Sequence, residues 1–321
     1  MTIFLKVVFQ SVLYLTLKIS VLRQKFSTVN RRTFMQNKNS SLTGYILIAV
    51  SAVTFSAKGI FAKILYSYGL DPVTLLALRF AIALPFFWGL LFIYQSERVG
   101  RRDLLLLILS GLVGFYLSAL ADFYGLLYID ASLERTIIYS FPTMVVILTA
   151  VLFKERIDGR KLFALMLTYG GLVLALKVFN GNLNGHFLGA GLVLFSAFVG
   201  ALSYILTEAL SKRVSSVKIS AYSTTACAFA FIGTWHGTYI PHDMKVWGIL
   251  FLLAFISTVI PVVTLAMGIK RIGASRAAIV SSIGPVSTAF LAYIFLGEQM
   301  DFIQVIGMIL VMAGVLVISY K

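Results

Sequence analysis

The feature that most constrains this chain is a succession of apolar stretches, each about as long as the 20 residues a helix needs to cross a bilayer's hydrocarbon core. From residue 43 onward there are ten, with approximate limits 43–66, 72–94, 104–128, 133–153, 160–179, 187–210, 218–239, 245–269, 272–296 and 301–319. The connections between them are short, so consecutive helices run antiparallel and no loop has room for a water-soluble domain. No ten-residue alternation of apolar and polar residues occurs, which excludes a membrane β-barrel. The fold expected is an all-α membrane protein of ten transmembrane helices. Only 12% of the 321 residues are charged, about half of the roughly 25% usual in a soluble domain. That excludes soluble enzymes, nucleic-acid-binding domains and disordered chains. Pro85, Pro142, Pro261 and Pro285 fall within spans and are expected as helix kinks, freeing carbonyls that neighbours or water must satisfy. The single cysteine, Cys227, rules out an internal disulfide and reads as a small core residue.

Residues 1–42 stand apart. Ile3 to Leu22 is apolar but interrupted by Lys6, Gln10 and Lys18, and a basic stretch follows. An extra helix, an interfacial helix and an extension upstream of a true start at Met35 are three readings of it. The last two fit best, because the ten-span unit is whole without it.

The net charge of +15 is explained by position. Assigning the Lys and Arg residues at the span ends and in the loops to alternate sides gives 19 on one side and 4 on the other. The positive-inside rule makes the first side cytoplasmic, with both ends of the ten-helix core on it and the protein in the cytoplasmic (inner) membrane. A nucleic-acid partner is not expected; the lipid bilayer is.

The chain also repeats itself. At an ungapped shift of 143 residues Ile129-Asp-Ala-Ser132 falls on Ile272-Gly-Ala-Ser275, Pro142 on Pro285, Glu155 on Glu298, Asp158 on Asp301 and Gly171 on Gly314. Ser51-Ala52 matches Ser196-Ala197 at a shift of 145. A shift of five helices, an odd number, gives the halves opposite orientations. The basic loop Lys154–Lys161 accordingly corresponds to Gly297-Glu-Gln-Met-Asp301, which has no base. Two repeats follow, 43–180 and 181–321. Inverted repeats suit alternating access, since the halves can exchange conformations.

Several segments carry a family likeness: Phe55-Ser-Ala-Lys-Gly-Ile-Phe-Ala-Lys63, Leu76-Ala-Leu-Arg-Phe80, Asp122 to Arg135, Tyr139-Ser-Phe-Pro142, Leu152-Phe-Lys-Glu-Arg156, Gly273-Ala-Ser-Arg-Ala277, Gly284-Pro285 and Leu296-Gly-Glu298. With them the chain resembles the EamA-type branch of the drug/metabolite transporter superfamily over residues 43–320. The resemblance implies ten helices, two five-helix repeats, a central substrate path and peripheral helices five and ten. It does not fix a substrate. Smaller multidrug relatives carry a proton-coupling Glu in their first helix, where this chain has Lys58 and no acid.

Ionisable groups inside spans are costly and need a partner or water. Lys58 lies about eight residues from the outer end of span one, Asp122 about six from that of span three and Arg79 about seven from that of span two, so at about 1.5 Å per residue they share a depth. Glu134 and Arg135 sit at the outer start of span four. An ion-paired clamp is expected, Asp122 with Lys58 or Arg79 and Glu134 with the other base. Three bases against two acids leave one positive charge, suited to a substrate carboxylate or phosphate. The second half has no equivalent: Lys58 aligns with Ser203, Asp122 with Leu265 and Glu134 with Ala277. Polar stripes at helical spacing add Thr136, Tyr139, Ser140 and Thr143; Ser196, Gly200, Ser203 and Thr207 with Tyr204 beside them; and Ser281, Gly284, Pro285 and Thr288. The small residues read as helix packing, while the Tyr139 and Tyr204 hydroxyls need a partner in protein or substrate. Glu155, Arg156, Glu298 and Asp301 read as capping or gating residues. His186, His236 and His242 read as solvated, and no metal or cofactor is expected.

These residues suggest a secondary transporter of small metabolites, an exporter or exchanger of amino-acid-like or other anionic or zwitterionic solutes. Protons are the candidate coupling ion, and the preferred assembly is a monomer. The alternatives are multidrug or cationic-solute efflux, or a non-transporting membrane scaffold. An intramembrane enzyme is not expected, since no HExxH or GxSxG motif and no nucleophile–base pair at one depth occurs.

Overall fold

The structure, a computed structural model, describes residues 38–93, 99–141, 143–145, 147–148, 159–175, 184–236, 240–273, 276–277, 280–281 and 283–319. Nearly all of the N-terminal extension lies outside these residues, as do Pro142, Lys154, Glu155, Arg156, Asp158 and Ser275.

The described residues are helical along all ten spans. Span one is Lys38–Ser56 and, after a one-residue turn at Ala57, Lys58–Ser67; span two is Pro72–Ile93. Span three runs as Arg101–Leu109, a π-helical stretch Ser110–Leu117, and Ser118–Gly125; span four opens with Ala131–Ile138. Spans five, six and seven are Gly159–Ala175, Asn184–Ser211 and Ser216–Thr234. Span eight is Met244–Ala254, a second π-helical stretch Phe255–Val259, and Ile260–Ile272. Span nine includes Ile283–Leu296, and span ten is Phe302–Ser319. Leu42–Ser67, Pro72–Ile93, Arg101–Gly125, Phe187–Ser211 and Met244–Ile272 are each long and apolar enough to cross a membrane.

Local chemistry sets the boundaries. Asp71 starts span two by accepting hydrogen bonds from the amides of Val73 (2.9 Å) and Thr74 (3.0 Å), and Pro72 takes the first helical position, where no amide is needed. Asp243 does the same for span eight through Lys245. Pro85 lies inside span two, which continues through it. Pro261 and Pro285 sit in the first turns of Ile260–Ile272 and Ile283–Leu296. Each therefore follows an interruption: the π-helical turn before Ile260 and the turn at Ser281.

The packing repeats the sequence symmetry. Span one lies along span eight, and its counterpart, span six, lies along span three. Spans two and seven pack together, as do four and nine, and five and ten. Glycines make the equivalent crossings possible. A Cβ at Gly268 would stand 3.3 Å from the Gly44 carbonyl, and one at Gly125 would stand 3.1 Å from that of Gly189. Spans five and ten touch backbone to backbone, where a Cβ at Gly171 or Gly307 would fall 2.6 Å from the other's carbonyl. Small residues permit this close approach, which replaces the hydrophobic drive that lipid does not supply. The outer faces of this pair are apolar and exposed, as at Met166 (64%) and Phe302 (79%), and suit contact with lipid. The protein is an all-α membrane protein of ten helices in two inverted five-helix repeats.

Candidate functional site

Where spans one, two, three, four, six, seven, eight and nine converge, they enclose a cavity of about 200 Å³. Lys58, Arg79, Asp122, Arg135, Tyr139 and Tyr204 all line it, with Phe55, Phe80, Phe115, Phe123 and Phe141 between them. Glu134 lies just behind this lining, fully buried and bonded to Lys58. The small and hydroxyl residues of span six, Ser196, Gly200, Ser203 and Thr207, face the same space. Ser203 and Leu265, the repeat counterparts of Lys58 and Asp122, line it too. The symmetric frame thus encloses one cavity with a charged wall and a neutral one.

The charged wall is assembled by the helix interruptions. Span one breaks at Ala57, immediately before Lys58. Span nine holds the break, since Ser56 Oγ donates to the Gly284 carbonyl (3.1 Å) and Thr288 Oγ1 donates to that of Ser56 (3.2 Å). Gly59 lets span four come close: a Cβ there would stand 3.1 Å from Ala131 Cβ and 3.5 Å from Glu134 Oε2. Lys58 then reaches two acids at once. It donates to Asp122 Oδ2 and, at 3.3 Å, to Glu134 Oε1.

This differs from the expected clamp, in which each acid has its own base. Arg79 turns instead to span eight, donating from Nε to Thr258 Oγ1 (2.6 Å) and from Nη2 to the Ser257 carbonyl (3.0 Å). The reason is Pro261. It has no amide to offer the carbonyl four residues earlier, which is that of Ser257. Arg79 fills the gap and lies 5.1 and 5.2 Å from the Phe80 and Phe123 rings. Sequence reading singled out neither Ser257 nor Thr258, although a proline inside a span marks the carbonyl four positions before it.

Arg135 is left over. It is 5% exposed and lies 5.4 Å from the Tyr139 ring, and its Nε and Nη2 have no hydrogen-bond partner. Tyr139 packs against Gly284, where any Cβ would collide with its hydroxyl. The Tyr204 ring lies 4.8 Å from Phe141. The other polar stripes divide. Thr136 and Thr143 donate to carbonyls of their own helix, of Ser132 (2.9 Å) and Ser140 (2.7 Å), whereas Tyr139 and Ser281 line the cavity. His236 and His242 are exposed.

Glu298, from the other repeat, holds the start of span four. Its carboxylate accepts from the amides of Ala131 (3.0 Å) and Ser132 (3.1 Å) and from Ser132 Oγ (2.8 Å). It thus caps the start of span four, the helix that carries Glu134 and Arg135. Helix N-termini favour an anion at this position.

A family model described as the EamA-like transporter family matches this chain over residues 42–177 and again over residues 187–320. The chain belongs to the EamA-like transporter family. The double match is the inverted repeat seen from outside. Among relatives of this EamA-like transporter, the uncharacterized transporter YcbK of Bacillus subtilis (strain 168) is 34% identical over 82% of this chain and 88% of its own length. The pseudopaline exporter CntI of Pseudomonas aeruginosa (strain PAO1) is 23% identical over 86% of this chain and 96% of its own. A protein known by crystal structure superposes with a TM-score of 0.66 at 16% identity, over 88% of this chain and 97% of that one, which speaks to the fold alone. The protein is a membrane transporter.

Proposed function

We propose that this EamA-like transporter carries small anionic or zwitterionic metabolites, amino-acid-like solutes among them, across the cytoplasmic membrane by alternating access. The observation that carries this reading is Arg135. A buried guanidinium with two unengaged donors is expensive, and it faces a cavity in which a carboxylate would satisfy it bidentately. Tyr139 and the five phenylalanines would take the apolar remainder of such a solute. Export or exchange is the direction favoured, supported by the relative named as a pseudopaline exporter. Further parts of this reading are that both ends of the ten-helix core face the cytoplasm, that the units 43–180 and 181–321 exchange conformations, and that the monomer is the working unit without catalytic activity.

The test is uptake into proteoliposomes loaded with a panel of labelled amino acids, organic acids and organic cations. Wild-type protein should exchange one or more carboxylate-bearing solutes. Arg135→Gln should cut that exchange at least tenfold, the scale of a lost charge-assisted pair worth about 1.5–3 kcal/mol, in protein that elutes as wild type does. Exchange of organic cations alone, or full carboxylate exchange in Arg135→Gln, would defeat the proposal.

A further inference from the structure

The arrangement around Lys58 contains more acid than its bases neutralise locally. Asp122 and Glu134 share the one ammonium. Arg79, which also faces Asp122, is committed to Thr258 and the Ser257 carbonyl. The guanidinium of Arg135, which also faces Glu134, forms no ion pair with it. Tyr66, which also faces Asp122, donates its hydroxyl proton to the Phe123 carbonyl at 2.7 Å.

Each acid uses one oxygen on Lys58. The others, Asp122 Oδ1 and Glu134 Oε2, are buried and accept from no donor. Glu134 Oε2 faces the bare backbone of Gly59, so nothing there replaces the hydrogen bonds it would have in water. The two carboxyl groups lie side by side, since one oxygen of each contacts the same ammonium nitrogen. Two carboxylates cannot bond to one another; a carboxylic acid and a carboxylate can. Like charges sharing a dry site favour this state, with one proton held by the pair.

We propose that Asp122 and Glu134 form a proton-binding site, holding one proton between them, with Lys58 as the counter-cation of the remaining charge. The proton comes from water and returns to it. One carboxylate becomes a carboxylic acid on loading and a carboxylate again on release. Asp122 lines the cavity and Glu134 does not, so Asp122 is the point of entry and Glu134 the buried partner. The site rests on the transport reading above, in its exchange form, since a proton and an anion bound together would leave the cell only against an inward proton gradient. It also gives linkage a sign. An anionic solute on Arg135 adds negative charge beside Glu134, which strengthens proton binding, and by reciprocity the bound proton strengthens anion binding. Proton and anion then occupy the site together.

The experiment uses the full chain in lipid bilayers and the proton itself as probe. Infrared difference spectra are recorded between mildly acidic and mildly alkaline pH, with and without deuterium exchange. A deuterium-sensitive C=O band of a buried neutral carboxyl is expected in wild type. It should shift in Asp122→Asn and in Glu134→Gln, where one partner of the shared proton is gone, and vanish in the double variant. In Lys58→Met the band should persist to higher pH, because removing a cation favours the neutral acid. Should a variant fail to fold, the wild-type spectrum still decides, since absence of a buried neutral-carboxyl band at every pH overturns the proposal. A band unchanged in the double variant overturns it as well. Neither result touches carboxylate exchange through Arg135, which the flux assay reads separately.

Discussion

Replacing Glu298 with alanine should loosen the start of span four and open the cavity that this helix lines. The carboxylate holds three donors of span four at 2.8–3.1 Å, and it belongs to the other repeat. Hydrogen bonds to a charged group contribute about 1.5–3 kcal/mol each when fully buried, and an N-cap about 1 kcal/mol. Glu298 is only half-buried, so solvent screening reduces the set to about 2 kcal/mol in total. That corresponds to a shift of roughly 30-fold in the balance between closed and open. The assay places a single cysteine at Ala119, which lines the cavity, in a Cys227→Ala background. An impermeant maleimide is then added from the Glu298 side. Glu298→Ala should raise the labelling rate by that factor, and Glu298→Gln, which keeps an acceptor, by less. An unchanged rate in Glu298→Ala, with folded protein, would refute the view that this cap holds the cavity shut.

Two further outcomes are expected. In right-side-out vesicles, a cysteine at Met244, which is 80% exposed, should label from outside while one at Ser215 should not; equal labelling would reject the orientation drawn from the basic loops. Gly307→Val should lower thermal stability in detergent by the equivalent of about 1–3 kcal/mol, because its side chain meets the Gly171 carbonyl and the Ala175 amide; an unaltered melting temperature would show that spans five and ten do not depend on that contact.

The frame was legible because two independent patterns, apolar length and an ungapped repeat, leave few solutions. The crossing glycines were legible only in part. Gly171 and Gly314 stood out as repeat matches; Gly125 and Gly268 match at the same shift of 143 and Gly44 and Gly189 at 145, but their part in the crossings shows only when the helices are set side by side. Depth counting brought Lys58, Arg79 and Asp122 to one level, and all three line the cavity. Partner choice was not readable in this way. It depended on a carbonyl released by Pro261 and on a helix break that sets Lys58 between two acids. The π-helical stretches were invisible for a simpler reason: one residue more per turn barely alters an apolar pattern that has little periodicity to begin with.

Those stretches also record descent. Moved by 143 positions, Phe255–Val259 falls on residues 112–116, wholly inside Ser110–Leu117. A wide turn arises when a helix absorbs an additional residue without breaking, and two independent insertions at the same place are a poor account of matching turns. The simpler history puts the insertion in a half-length ancestor, before the gene doubled, so that both copies inherited it. The charged wall, by contrast, belongs to one copy only, since Ser203, Leu265 and Ala277 stand where Lys58, Asp122 and Glu134 stand in the other. The two copies thus share a turn and differ in their charge.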